Sequence, residues 1–411
     1  MIFKDTTKCK VCLSDSVLPL MDFGYQPNSY QFTAEQKMDC RTYGLDLWFC
    51  GQCGFVFIKN PIACDEIYTN YQWSTSFCPP KHINWLVGKM TEICLTGYDD
   101  FIVEVGSNDG YMLRILMNMN YTRILGVEPA EECAQQSVLH GIQTINSYFD
   151  ETIADRIKEE YGVPRVVICR HVIEHLPDPN QFFENINLLI NKDSVLVLEI
   201  PGFEMTADKG DISTIWEQHI NYFTRQTITR LAARHGFSAQ YYKYLEHGGG
   251  SLILFLTKAE TLPRLSCKDI SVALTFRDRA KENIRLIKTL LKGLKEMNKT
   301  IVAYGAGSRG ICLINLSDIS KFIDFIVDDN GAKTSMFLPN THLKIVDSDA
   351  LLDDKPDYCL ILPMNRKELE HQIMERHADY VEAGGIFIEL YQNNEINIIN
   401  KNTFDALKRG W

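Results

Sequence analysis

Two cysteine hooks open the chain, Cys9-x-x-Cys12 in CKVC and Cys50-x-x-Cys53 in CGQC. A CxxC turn aims two thiolates at one point. Two such turns supply the four sulfurs of a closed tetrahedral zinc site. Gly51 and Gly54 ease the second turn. With every coordination position filled by protein, the metal would be structural. Such a site contributes on the order of 10 kcal/mol of folding energy to a module too small for its own core. A redox CxxC or four buried thiols would produce the same spacing. Cys40, Cys64 and Cys78 read as core or surface thiols.

A second constellation begins at Glu104-Val-Gly106-Ser-Asn108-Asp-Gly110, which leaves the apolar run FIVEVG and enters YMLRILMNM. Glycines at a strand-to-helix switch let a ligand approach the backbone closely. Glu128 ends the next apolar run, RILGVEP, about 20 residues on, where an acid can accept hydrogen bonds from both ribose hydroxyls. Turn and acid together indicate an adenosine cofactor. Histidines follow in RHVIEH (His171, His175), WEQHINYF (His219) and EHGGGS (His247). Histidine titrates nearest neutrality and suits proton transfer. The polar and aromatic setting of His219 favours a pocket over a core. Further on, Gly305-x-Gly307-Ser308-Arg309-Gly310 follows TIVAY with the spacing GxGxxG, and Asp328 ends the next run. Alone, that reads as a dinucleotide site.

These residues need an α/β frame. Residues 1–70 read as a compact metal-stapled module with aromatic strands LDLWFC and GFVFIK. Residues 71–265 form a second unit. It opens with YQWSTSFCPPKHI (71–83), a linker or lid broken by prolines. Strands FIVEVG, RILGVEP, PRVVICRHVI and SVLVLEIPGF alternate with helices YMLRILMNM, EECAQQSVLHG and QFFENINLLIN. That alternation predicts a doubly wound, mostly parallel sheet, with LILFLTK as a late edge strand. Residues 266–411 begin with a charged connector helix over 270–299. A second α/β unit follows, with strands FIDFIVDD, YCLILP and GIFIELY and the helix ELEHQIMERHADYVEAG.

The 411 residues carry a formal charge of -11, which argues against sequence-blind binding to nucleic acid or an anionic membrane. The opening MIFKDTTKCK lacks the apolar core of a signal peptide, and no apolar run reaches about 18 residues. The expectation is a cytoplasmic protein whose 13 cysteines are thiols rather than disulfides.

The ExGxxxG spacing, with an acid ahead of the first glycine, resembles motif I of class I S-adenosylmethionine-dependent methyltransferases. Glu128 matches that family's ribose-binding acid. CRHVIEHLPDP (Arg170, His171, His175) resembles the segment flanking the methionine and adenine parts of the cofactor. Taken in order, CxxC…CxxC, ExGxxxG, HVIEHLPDP, EQHINYF, HGGGSL and YGAGSRG resemble the sugar C-methyltransferase family over nearly the whole chain. The resemblance implies a small zinc-binding N-terminal module, a central class I methyltransferase Rossmann-like domain and a second, C-terminal Rossmann-like α/β domain. It implies S-adenosylmethionine as cofactor, structural zinc, and a nucleotide-linked keto-deoxysugar methylated on the carbon beside its ketone through an enolate. A monomer or homodimer is expected.

The resemblance also implies roles. His219 matches the family's base and Tyr222 its tyrosine. Tyr71 resembles an active-site tyrosine from the linker, and His247 a histidine on the strand beside the sugar pocket. Gly305, Gly307, Ser308 and Arg309 would hold the substrate's nucleotide, with Arg309 on a diphosphate. One departure stands out. The family's glutamate before the base is Gln218 here, which hydrogen-bonds but carries no charge. Glu217, one position earlier, would partly compensate. The departure keeps O- or N-methylation open. The GAGSRG loop keeps an NAD-dependent sugar oxidoreductase open as well, and the cysteine hooks a zinc-based binding module.

Overall fold

The computed structural model describes residues 8–29, 31–62, 75–77, 80–246, 250–259, 269–362, 367–392 and 395–408. The described residues form three sheets. The first contains β1 (Val17–Pro27), β2 (Thr42–Cys50) and β3 (Val56–Ile58) as an antiparallel meander. The turn between β2 and β3 is the second cysteine hook. Cys50 N–H donates to Phe55 O, and Gly54 N–H donates to Cys50 O. Gly54 has φ +77°, and a Cβ there would meet Asp269 O at 2.1 Å, so only glycine fits.

The central sheet is built from β4 (Ile102–Val105), β5 (Ile124–Val127), β6 (Thr144–Ile145), β7 (Val166–Arg170) and β8 (Val195–Pro201). The two-residue β9 (Asn221–Tyr222) interrupts it before β10 (Phe237–Leu245) and β11 (Ser251–Lys258). The strand order is β10-β11-β8-β7-β4-β5-β6. All neighbours from β8 to β6 run parallel, and β11 is the single reversed strand between β8 and β10. LILFLTK is therefore interior rather than an edge strand. The edge is FSAQYYKYL, whose part-exposed, tyrosine- and lysine-bearing pattern marks it as the strand facing water on one side. The chain turns to opposite sides of β4 towards β5 and β7, which opens a crevice at the carboxyl ends of these strands.

β9 leaves this sheet and joins the first one, pairing Val56 with Tyr222 and Phe57 with Asn221. The Asn221 side-chain amide donates to Ile173 O (3.2 Å) and Leu176 O (2.7 Å). The segment after His219 is thus fixed to the N-terminal module on one side and to the end of β7 on the other.

The third sheet contains β12 (Ile301–Tyr304), β13 (Ile326–Asp328), β14 (Ile345–Asp347), β15 (Tyr358–Ile361), β16 (Ile386–Gln392) and β17 (Glu395–Ile399). Its order is β14-β13-β12-β15-β16-β17, parallel except for the last pair. The helix Ser271–Glu296 is more than a connector. It buries Ala273, Phe276, Ala280, Ile287 and Leu291 in one continuous core with Leu20 and Leu47 of the first sheet, Phe203 of the central domain and Ile301 of the third sheet. Among the described residues no helix is long and apolar enough to cross a membrane.

Arg309 ends up in this seam rather than at an open phosphate site. Its guanidinium donates to the buried Asp211 Oδ2 at 2.6 Å and to Ser213 Oγ at 2.9 Å. Removing it leaves the buried Asp211 carboxylate without this cation, though still hydrogen-bonded by Ser213. Arg309→Ala should cost about 3 kcal/mol of stability, seen as a lower urea midpoint. An unchanged midpoint would show that the pair does not hold the domains together.

Candidate active site and metal centre

The four hook sulfurs converge. Cys9 Sγ lies 3.6 Å from Cys53 Sγ and Cys12 Sγ 3.5 Å from Cys50 Sγ, and all four fall within 4.8 Å of one another. Zn–S bonds of about 2.3 Å in a tetrahedron place sulfurs about 3.8 Å apart, so the cluster fits that ion. Gln52 N–H also donates to Cys50 Sγ at 3.3 Å, as a thiolate would require. Hydrogen bonding within the cluster holds the Cys50 thiol far below its usual range and pushes those of Cys9 and Cys53 above theirs. Cys9, Cys50 and Cys53 share a core with Phe55, Phe57 and Phe223, so the metal knot is continuous with the central domain.

The cofactor crevice is built at the ends of β4, β5 and β7. Gly106 has φ +71°, and a Cβ there would strike Val172 at 2.4 Å. Gly110 has φ +74° and caps the helix Tyr111–Asn118. Asn108 takes φ +51°, and its backbone N–H donates to Glu128 Oε2 at 2.8 Å. Glu128 Oε1 accepts from Ala130 N–H at 2.8 Å. Burial raises the Glu128 carboxyl's affinity for a proton against these two donors. Above the loop sits the turn Thr75–Phe77. Thr75 N–H donates to Asn108 Oδ1, and Ser76 N–H to Asp109 Oδ2.

Glu104 is 2% exposed, and its Oε2 has no hydrogen-bond partner. Burial pushes its carboxyl up to about 8, although Arg170 opposes the shift. A buried acid with a free oxygen suits the ammonium of an amino-acid-bearing cofactor, and Glu128 suits its ribose. These residues fit S-adenosylmethionine.

Behind the crevice lies an ionic hub that no sequence motif reveals. Glu199 on β8 is fully buried and faces Arg170 Nε (2.7 Å), His82 Nε2 (2.8 Å) and His171 Nε2 (3.4 Å). Burial opposes its charge, but Arg170 and His171 outweigh that and hold it well below the usual carboxylate range. His171, at φ +53°, also meets Glu174 Oε1 at 3.2 Å. Burial opposes its protonation, yet the two glutamates lift it to about 9. Arg170 and His171 therefore brace the crevice from within through Glu199 and Glu174. The one signal in the sequence is an acid inside the apolar strand SVLVLEIP.

His219 is half-buried and borders a pocket with Pro201, Phe203, Thr206, Thr214, Asn221 and Tyr222. Its ring meets His175 edge-on at 4.8 Å and Trp216 at 4.7 Å. His175 Nδ1 donates to Gln218 O at 2.8 Å. Burial, reinforced by His175, His171 and Arg309, keeps His219 well below the usual imidazole range, hence neutral. Tyr222 Oη accepts from Trp216 N–H at 3.3 Å, and burial keeps its hydroxyl protonated.

Glu217 does not compensate for Gln218. Its Oε1 accepts from Ser29 N–H (3.1 Å) and Ser29 Oγ (2.8 Å), so it ties the pocket loop to the N-terminal module. Tyr71 and His247 lie outside the described residues, as do Cys64 and Cys78. In the C-terminal loop, Gly310 is required by packing, since a Cβ would meet Gly305 O at 2.8 Å. Asp328 is engaged within the loop, accepting from Ala306 N–H (2.6 Å) and Asn330 N–H (2.8 Å). Gly307 is exposed, and Ser308 starts the helix Ser308–Leu316.

Family profiles match in the same order: a zinc binding domain at residues 9–68, a methyltransferase domain at 97–241 and a C-methyltransferase C-terminal domain at 247–390. Fold and site together define an S-adenosylmethionine-dependent methyltransferase with a structural zinc module. C-methyltransferase NovU of Streptomyces niveus is 25% identical over 94% of this chain and 96% of its own length. The chain is similar to that C-methyltransferase over nearly its whole length and carries a C-methyltransferase C-terminal profile. A tRNA U34 carboxymethyltransferase of Campylobacter jejuni is 22% identical over 34% of this chain and 46% of its own. A structure of magnesium protoporphyrin IX methyltransferase from Synechocystis PCC 6803 with bound SAH covers 47% of this chain and 92% of its own, at 14% identity and TM-score 0.36.

Two outcomes follow from this geometry. Cys50→Ser should drop the zinc content from one ion per chain towards none and unfold the N-terminal module. Metal analysis and circular dichroism would read both, and a folded, metal-free variant would refute a structural role. Because Glu104 ionises only near pH 8, a cationic cofactor should bind more tightly as the solution is taken from mildly acidic to mildly alkaline. Calorimetry in buffers of different ionisation enthalpy should show proton release on the acidic side of that midpoint. In Glu104→Gln that proton release and the pH dependence should both vanish.

Proposed function

We propose that the enzyme methylates the carbon next to the ketone of a nucleotide-linked keto-deoxysugar, in the biosynthesis of unusual sugars of antibiotics or surface glycans. The observation that carries the reading is His219, held neutral at the edge of a pocket that it shares with the protonated Tyr222. A neutral buried imidazole can take the α proton at a ring nitrogen. The electron pair moves into the enolate, whose oxygen the Tyr222 hydroxyl would stabilise. The bound cofactor supplies an electrophilic methyl group to that carbon. Phe203 and Pro201 give the pocket an apolar wall. Residues 305–309 would contact the nucleotide through the exposed Gly307 and the half-buried Ser308, Arg309 being committed to Asp211.

A second reading, methylation of a sugar hydroxyl or amine, draws on Gln218. That residue brings no charge to the base, and Glu217 faces Ser29 instead. One assay separates the two. With 4-keto nucleotide sugars in deuterated water, the wild type should wash deuterium into the α carbon, and His219→Ala should lose that exchange by about 100-fold or more while still binding S-adenosylhomocysteine. No exchange with any ketose would favour the oxygen or nitrogen acceptor.

A further inference from the structure

Taking the α proton leaves a positive charge on His219 in surroundings that disfavour it. Burial, His175, His171 and Arg309 all act against an imidazolium there. Glu199 is already shared by Arg170, His82 and His171. Glu217 is turned to Ser29, and Gln218 is neutral. One further acid lies beside the base. Glu174 is 1% exposed, on the short turn Ile173–His175 after β7. Its Oε1 faces His171 Nδ1, while its Oε2 has no hydrogen-bond partner. One carboxylate oxygen of Glu174, one ring nitrogen of His175 and one of His219 lie within 4.8 Å of one another. His175 Nδ1 donates to Gln218 O, which leaves its Nε2 as an acceptor on the same side chain.

We propose that Glu174 is a positioning residue: the fixed anion that stabilises the proton received by His219, beside a His175 whose tautomer Gln218 O sets. The inference rests on His219 being the base. The substrate C–H bond breaks, its proton goes to a His219 nitrogen and its electron pair to the enolate. Glu174 forms and breaks no bond. Among the charged groups facing this pair, His171 and Arg309 repel the new charge, and Glu174, although its Oε1 pairs with His171, offers a carboxylate oxygen within 4.8 Å of a His219 nitrogen. The opposing effect of Glu174 on the depressed proton affinity of His175 is consistent with this placement.

The test uses zinc-loaded enzyme with S-adenosylhomocysteine or S-adenosylmethionine and thymidine diphosphate 4-keto-6-deoxyglucose as probe. Glu174→Gln should lower kcat by about 100-fold with KM nearly unchanged. The acidic limb of the pH–rate profile should move to lower pH by about one unit, because losing the anion makes the imidazolium harder to form. Imidazole proton resonances of His175 and His219 should titrate lower by a similar amount without any substrate. Glu174→Asp should restore part of both. A kcat drop with an unmoved limb and unmoved titrations would reduce Glu174 to a structural part and overturn the proposal. So would a second bound metal ion, present in the wild type and lost in Glu174→Gln. Exchange that survives His219→Ala refutes the base itself, whereas normal loss in His219→Ala with unshifted titrations in Glu174→Gln refutes only the role of Glu174.

Discussion

The pairing of β3 with β9 is the constraint on which the site depends. Val56 opposite Tyr222 and Phe57 opposite Asn221 carry the order of the zinc knot directly into the segment bearing His219. A module of this size could not hold such a strand on its own core. The four sulfurs fix the turn that starts β3, and β3 then fixes β9. Asn221 completes the link by satisfying two carbonyls at the end of β7, where His175 stands. The metal is remote from the chemistry in kind but not in structure.

Electrostatics divides the crevice into two layers. The inner layer is the Glu199 hub, whose charges neutralise one another away from water and lock the ends of β7 and β8 together. Buried charges of this sort are tolerable only when paired, so the hub tolerates little substitution. The outer layer holds groups left incomplete: a free oxygen on Glu104, another on Glu174, and a neutral imidazole at 219. Strain lies between the layers. His171 takes a left-handed backbone conformation so that its ring can span Glu174 and Glu199.

Much of this frame is legible in the chain. The cysteine spacing announces the metal, and the glycine pattern with Glu128 announces the cofactor crevice, because both depend on local turns. Strands such as VLVLEIP are readable as continuous apolar runs. What escapes such reading depends on distant pairing. β9 is two residues long, too short for any periodicity, and its existence depends on β3. FSAQYYKYL gives no clean alternation, and LILFLTK reads as an edge strand, since order within a sheet is a tertiary property. Motif position alone would send Arg170, Arg309 and Glu217 into the site, yet each finds a buried partner elsewhere in the chain. A residue's neighbours along the chain do not disclose which partner burial will give it. Glu174 stands inside HVIEHLPDP and His82 inside the linker 71–83, yet neither stretch discloses its partner.

The common core beneath the helix Ser271–Glu296 has an evolutionary corollary. Apolar residues from the first sheet, from Phe203 and from the C-terminal unit interlock there, with Arg309 keyed into Asp211 at its rim. A chimera that swapped only the last third of the molecule for a relative's would inherit a mismatched joint. Recombination between such enzymes would succeed only where the donor also brought its own counterparts of residues 17–58 and 203–222, so new acceptor preferences should arise more readily by drift of pocket side chains than by exchange of whole units.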